Sequence, residues 1–209
     1  VMAAEGATHC NFVFGGVAAD SGEYFACYDL EAVGWGGRAF ADGNDAVDSI
    51  NGNCRITPVE VYETRFPWRI ESLAFNQDSC GAGEYRGGVG YSKQMLCLNE
   101  SITCSQMTDR HEFAPWGLNG GTEGGQGATL VQKAGGQVWE TMCEAYGKAS
   151  SSRYSNVVIR RGDRVRLVTP GGGGYGDPKA RMPESVAEDV REGYVSIAAA
   201  RRDYNYQGA

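Results

Sequence analysis

Short runs of alternating apolar and polar residues, broken by glycine, dominate this chain and predict strands joined by tight turns. Trp68 to Phe75 opens with Trp68 and Ile70 against Arg69 and Glu71. Glu23 to Glu31 alternates too, with Tyr24, Ala26 and Tyr28 against Phe25, Cys27 and Asp29. Tyr91 to Leu98, Ile102 to Thr108, Thr129 to Lys133, Gln137 to Thr141, Val157 to Arg160 and Arg164 to Val168 read as further strands. Asn99-Glu100, Gly135-Gly136 and Gly162-Asp163 stand between consecutive pairs of these and predict three hairpins. Helical spacing is confined mainly to the end. Pro183 opens a helix to about Glu192, and Gly193 follows it, the expected asymmetry of helix ends. Val186 and Val190 share one face of it. Ser196 then caps a second helix from Ile197 to Tyr204. A short helix from Val59 to Thr64 follows Pro58. The fold class is therefore α+β, mainly β: short antiparallel strands with glycine-rich loops and a C-terminal helical pair. Residues 1–182 form the β core and 183–209 the helical tail.

Composition sharpens this picture. Glycine makes up 31 of 209 residues and proline only 6, which suits many tight turns rather than a low-complexity chain. Apolar content of 42% and charged content of 22% are ordinary for a globular protein. A net charge of −7 argues against nucleic acid as a partner, since phosphate binding wants a basic face. The sequence holds neither an apolar run long enough to span a membrane nor a visible signal peptide, so no membrane association and a cytoplasmic location are expected. It starts at Val1, which suggests processing or a fragment of a longer protein. The seven cysteines are odd in number and widely spaced, without a C-x-x-C. They read as scattered small hydrophobes in a reducing cytoplasm rather than a disulfide framework or zinc ribbon. His9 and His111 are the only histidines, too few for a complete metal site here.

The densest signal is Thr169-Pro170-Gly171-Gly172-Gly173-Gly174-Tyr175-Gly176-Asp177-Pro178. Four glycines in a row cost backbone entropy and imply close approach of backbones. Gly171-x-Gly173-x-x-Gly176 spells the dinucleotide fingerprint, but Asp177-Pro178 follows where a helix should start, and Asp177 stands where a phosphate loop needs lysine. A tight crossing of packed backbones fits better. A second glycine-rich stretch, Asp78 to Gly90, carries Arg86. Its guanidinium suits either a ligand oxyanion or the loop's own carbonyls. The segment Asn53 to Glu63 concentrates polar groups at an element boundary. Glu60 and Glu63 share a helical face near Arg55 and Arg65, an arrangement open to a ligand-orienting role or to a structural ion-pair cluster. Asn53, Arg55, Glu60 and Arg86 are the candidate catalytic residues; no cofactor-binding or metal residue is assigned.

Several blocks, in order, resemble one family: Asn11 to Gly16, Gly34 to Gly43, Thr57-Pro58-Val59-Glu60 through Arg65-Phe66-Pro67, and Asp78 to Gly90. Asp109-Arg110 through Leu118 with Gly120-Gly121, Gly162-Asp163, Thr169 to Pro178, and Pro183 through Gly193 with Ala200 and Tyr204 complete the series. The chain resembles the C-terminal part of the hydantoinase B / 5-oxoprolinase family, which is related to acetone and acetophenone carboxylase subunits. The resemblance implies a B-type subunit, or its C-terminal fragment, in an ATP-dependent complex that hydrolyses a cyclic amide through a phosphorylated carbonyl. A ketone carboxylase subunit and a non-catalytic assembly module are the alternatives. It implies as partners a hydantoinase A-like ATP-binding subunit and the N-terminal half of a B-type subunit, in a hetero-oligomer. ATP and a divalent metal are expected in those partner chains, and this chain is expected not to be stable alone. The family's Thr-Asn-Thr before the Thr-Pro-Val-Glu block reads Gly52-Asn53-Cys54 here, which implies altered specificity if that segment meets substrate.

Overall fold

The protein is described by a computed structural model covering residues 1–7, 10–49, 52 and 54–208. Its described strands form two antiparallel sheets. One sheet has the order β2-β1-β5-β8, from β1 (Asn11–Val17), β2 (Tyr24–Leu30), β5 (Ser101–Met107) and β8 (Arg153–Arg160). The other has the order β3-β4-β9-β6-β7, from β3 (Trp68–Phe75), β4 (Tyr91–Cys97), β6 (Ala128–Gln132), β7 (Glu140–Thr141) and β9 (Arg164–Val168). Their inner faces share one core. Phe12 and Phe14 of β1 and Ile102 and Cys104 of β5 meet Trp68, Met95, Val165 and Leu167 of the second sheet. Helix α1 (Val59–Arg65) adds Tyr62, whose ring lies 5.9 Å from that of Phe14. Burial of these side chains from both sheets is the main force holding the sandwich together. The mainly β, α+β expectation is met, with α3 (Pro183–Arg191) and α4 (Ile197–Tyr204) as the helical pair at the end. Ser196 caps α4 by accepting from the Ala199 amide at 3.1 Å.

Two of the three expected hairpins are something else. Only Gly135-Gly136 joins paired strands, β6 and β7, and β7 is shorter than its pattern suggests. Asn99-Glu100 carries the chain from β4 in one sheet to β5 in the other, and Gly162-Asp163 carries it from β8 to β9. The two corners lie side by side. β4 pairs with β9 and β5 with β8, so two long ribbons bend together from sheet to sheet. Buried side chains hold the bend. Asn99 donates to the Val17 and Ser101 carbonyls and accepts from the Ala19 amide, while Asp163 accepts from the Ala134 and Arg160 amides. The alternation also fails to announce β1, because Gly15 and Gly16 look like a turn. In the strand, their missing side chains make room for the Phe25 carbonyl and ring. A short helix α2 (Met142–Tyr146) likewise follows directly on β7, with a capping box between Thr141 and Glu144 and a left-handed Gly147 at its end.

Beside the sandwich, segments that are neither helix nor strand weave through one another. Each glycine of Gly171 to Gly174 faces a different neighbour. A Cβ added at each would overlap, in turn, the carbonyl oxygens of Ser79, Trp35, Trp116 and Ala82. Backbone bonds run outward to those neighbours. The Gly172 amide donates to Gly88 O at 2.9 Å, Gly173 to Ala4 O at 2.8 Å and Gly174 to Thr122 O at 2.9 Å. The four glycines are buried, and the crossing of backbones leaves no space for a nucleotide phosphate among them.

The helical tail is fastened to this weave by buried ion pairs. Arg86 Nε meets Asp189 of α3 at 2.8 Å and its Nη1 meets Asp45 at 2.7 Å, while Arg181 bridges Asp42 at 2.7 Å and Asp189 at 2.8 Å. The Arg86 guanidinium also lies 4.6 Å from the Tyr194 ring centre. Val186, Val195, Ala199, Ala200 and Tyr204 close a small apolar cluster over Ala82. Among the described residues, no helix is long and apolar enough to cross a membrane.

Candidate active-site cleft

The chain leaves β2 at Leu30, runs through Trp35, and returns as the 46–49 loop. Paired bonds between Val33 and Val47, at 2.7 and 3.0 Å, hold the two passes together. Gly52 and residues 54–56 then lead towards α1. These three stretches wall a cleft of about 490 Å³ lined by Leu30, Ala32, Trp35, Asp48, Cys54 and Arg55 among others. Asp48 is its organiser. Its carboxylate accepts from the Ser49 amide at 2.8 Å and from the Cys54 amide at 2.9 Å, and its carbonyl accepts from the Trp35 indole at 2.7 Å. Gly52 lies so close to this carboxylate that any side chain there would collide with it. Gly52 thus has a local structural reason in this chain, where a threonine would displace Asp48.

Of the four sequence candidates, Arg55 lines the cleft, exposed at its lip and without an ion pair among the described residues. Asn53 lies outside the described residues, between two cleft residues. Glu60 is exposed on the first turn of α1 and does not line the cleft. Its helical neighbour Glu63 accepts from the Ile70 amide at 2.7 Å, capping the start of β3. Arg86 stands elsewhere, its guanidinium engaged by Asp45, Asp189 and the Gly87 carbonyl.

Beneath the cleft floor lies a charged cluster that the alternation signals only as a lysine on an apolar face. Tyr91, Lys93, Met95 and Cys97 all point inward from β4. Lys93 Nζ reaches Asp29 at 2.8 Å and Glu31 at 2.6 Å, and sits 5.1 Å from the Tyr62 ring centre. The Tyr91 hydroxyl donates to the other oxygen of Glu31. Leu30 and Ile56 separate this cluster from the cleft, since both line the cleft and the small void next to Lys93. Burial disfavours the Lys93 ammonium, but Glu31 and Asp29 outweigh it and hold Lys93 above its ordinary range, so it stays charged. Burial pushes Glu31 upward, and Lys93 only partly opposes this because one ammonium serves two carboxylates.

A second cleft, of about 600 Å³, is lined by Thr108 to Phe113 with Ser150, Ser152, Arg153 and Glu5. His111 Nδ1 is buried there without a hydrogen-bond partner. Burial lowers its pKa to about 4, with Asp109 opposing weakly. The unfolded chain therefore binds a proton that the folded chain refuses between the ordinary value of 6.5 and about 4. Stability contributed by neutral His111 is full above that window and declines as pH falls through it, by about 3 kcal/mol when complete. An NMR titration should find the His111 imidazole neutral at pH 5.5; a midpoint near 6.5 would contradict the burial.

Among the described residues, no three histidine, cysteine, aspartate or glutamate side chains converge for a metal. The glycine crossing is closed to a nucleotide phosphate by the backbone around it. All seven cysteines are free thiols. The first cleft offers one exposed guanidinium over walls of Leu30, Ala32, Trp35, Val47 and Ile56. That combination suits a small ring with an apolar edge and a polar oxygen.

Comparison with known proteins places this geometry in context. The profile of the Hydantoinase B/oxoprolinase family matches residues 1–178. Caprolactamase subunit beta of Pseudomonas jessenii is 32% identical over 149 residues, 70% of this chain and 24% of that subunit. The 5-oxoprolinase of Dictyostelium discoideum is 31% identical over 163 residues, 78% of this chain and 12% of that protein. The crystal structure of the ATP-dependent caprolactamase from Pseudomonas jessenii shares the fold with a TM-score of 0.78 at 24% identity, over 98% of this chain and 35% of the other. Nucleotide-free acetone carboxylase matches with a TM-score of 0.77 at 23% identity, over 97% and 30% respectively. The chain thus spans only about a third, or less, of each of these proteins.

Proposed function

The chain belongs to the hydantoinase B/oxoprolinase family, and from this membership we propose that it is the C-terminal part of a B-type subunit in an ATP-dependent cyclic-amide hydrolase. The observation that carries the reading is the double likeness to caprolactamase, in sequence to its subunit beta and in fold over nearly the whole chain. In this reading the cleft beside Arg55 receives the amide ring. Its apolar wall takes the methylene edge, and Arg55 orients the carbonyl or carboxylate oxygen by a charge-assisted hydrogen bond. Phosphorylation of the carbonyl, with ATP and a divalent metal, is the task of an A-type subunit and of the N-terminal half of the B-type subunit. This chain's part is to bind the ring, fix its orientation and exclude water from the apolar side.

The test is ADP release by the chain assembled with those partners, in the presence of a hydantoin, 5-oxoproline or a lactam. Amide-dependent ADP release is expected. Arg55→Ala should raise KM about tenfold or more, the size of one lost charge-assisted bond. The fold likeness to acetone carboxylase supports a second reading, a ketone carboxylase subunit. ATP use that requires bicarbonate and a ketone would establish that one instead. Amide-dependent turnover in the assembled complex that is indifferent to Arg55→Ala would favour an assembly module with no residue at the reacting centre.

A further inference from the structure

On the opposite side of the fold from the first cleft's walls of β2 and α1, strand β8, the end of β6 and helix α2 border a cleft of about 410 Å³. It is lined by Lys133, Tyr146, Lys148, Asn156, Val158, Arg160 and Asp163. Three cations around one depression stand out on a chain of net charge −7. The single carboxylate there does not neutralise them. Asp163 is buried, and its oxygens accept from the Ala134 amide at 2.9 Å and the Arg160 amide at 3.0 Å, with Lys133 Nζ only at 3.9 Å. Arg160 is exposed and makes no ion pair among the described residues. Lys148 donates to the Ser155 carbonyl at 2.8 Å, which holds its ammonium over the cleft. Lys133 lies 3.6 Å from the Tyr146 ring centre, so the ring fixes its direction.

Tyr146 contributes the ring that fixes Lys133, while its own hydroxyl is sealed from solvent. Two ammonium groups and a guanidinium around one depression make a donor set for a multiply charged oxyanion, and guanidinium geometry favours its bidentate capture.

We propose that this cleft is a binding site for a phosphate group, held by Lys133, Lys148 and Arg160. The site is separate from the cleft beside Arg55 and does not depend on the hydrolase reading. Free phosphate and the terminal phosphate of a nucleotide share this chemistry. Lysine acylation footprinting of the full protein in its assembly, read by peptide mass spectrometry, tests it. Inorganic phosphate at millimolar concentration should protect Lys133 and Lys148 about threefold or more, leave exposed Lys179 unchanged, and lose its effect in Arg160→Met. Adenosine with and without a phosphate chain distinguishes the two sources: protection by the nucleotide at lower concentration than by phosphate assigns the site to a nucleotide, and the reverse to the free ion. Protection by acetate equal to that by phosphate would overturn the proposal, as would protection unaltered in Arg160→Met. Lysines already unreactive without phosphate would overturn it too, because a partner surface would then fill the cleft.

Discussion

Gly172→Ala should abolish folding, although it adds one carbon. Its Cβ would overlap the Trp35 carbonyl oxygen, and the Trp35 carbonyl carbon and Gly36 amide lie directly behind. A clash with a flexible side chain can relax by rotation. Here the obstacle is backbone already tied into the weave, with the Gly88 amide donating to Trp35 O at 2.7 Å and the Gly172 amide donating to Gly88 O at 2.9 Å. Moving one pass therefore breaks bonds in the others. The cost should exceed about 5 kcal/mol, as much as the whole stability of many domains. Gly135→Ala is the control. Gly135 has a φ of 76° and no heavy atom near its would-be Cβ. It should lose only about 1 kcal/mol, the strain of a left-handed alanine. Soluble yield and thermal unfolding of the two variants in the same assembly measure the contrast. A Gly172→Ala protein melting within a few degrees of Gly135→Ala would show that the crossing is not the rigid element described here.

The same comparison explains what could be read from the sequence. A glycine run flanked by Thr169-Pro170 and Asp177-Pro178 announces close backbone approach, because nothing else needs four residues without side chains. It does not say which backbones approach, since the partners at Trp35, Ser79, Ala82 and Trp116 are spread over much of the chain. Strand positions were legible where burial alternates, as in Tyr91–Cys97 and Arg164–Val168. Strand partners were not. Gly162-Asp163 marks a change of direction, and a change of direction serves a corner between sheets as well as a hairpin. Thr141 and Glu144 carry a helix-start signature, but the preceding alternation of Gln137 to Thr141 obscures it.

Site residues divide along the same line. Arg55 was legible as a charged group before an element start, and in the fold it lines the first cleft. Arg86 was legible as a guanidinium among small residues. What it meets, Asp45 and Asp189, lies 41 and 103 positions away, and no local pattern encodes that distance. Glu60 and Glu63 do share a short helix, yet Glu63 turns to the Ile70 amide rather than to an arginine. Lys93 is the instructive omission. A lysine between Tyr91 and Met95 on the inward face of a strand is a local conflict, and such conflicts require a partner in the interior.

Lys93→Met follows from that partnership and is expected to cost about 3–5 kcal/mol, more than a matched change to either acid. Methionine fills much the same volume beside Tyr62, so packing alone would predict a small loss. The charge count predicts otherwise. Removing the ammonium leaves the side chains of Asp29 and Glu31, 9% and 0% exposed, facing each other without a cation. Glu31→Gln instead leaves Lys93 with Asp29 as a balanced pair, and the Tyr91 hydroxyl keeps an oxygen to donate to. It should be milder by about 2 kcal/mol or more. The two variants should also differ with pH. Glu31 titrates above its ordinary value in the fold, so the folded state binds its proton more tightly than the unfolded state. Stability from this group is present at low pH and falls as pH rises from the ordinary glutamate value through the raised folded one. Lys93→Met should lengthen that fall, because the ammonium that opposes it is gone, and Glu31→Gln should remove the part due to Glu31. Denaturant midpoints between pH 4 and 8 for both variants and the parent resolve the two effects. Parallel pH profiles for Lys93→Met and the parent would mean that the carboxylates are solvated and that the cluster is not sealed beneath the cleft floor.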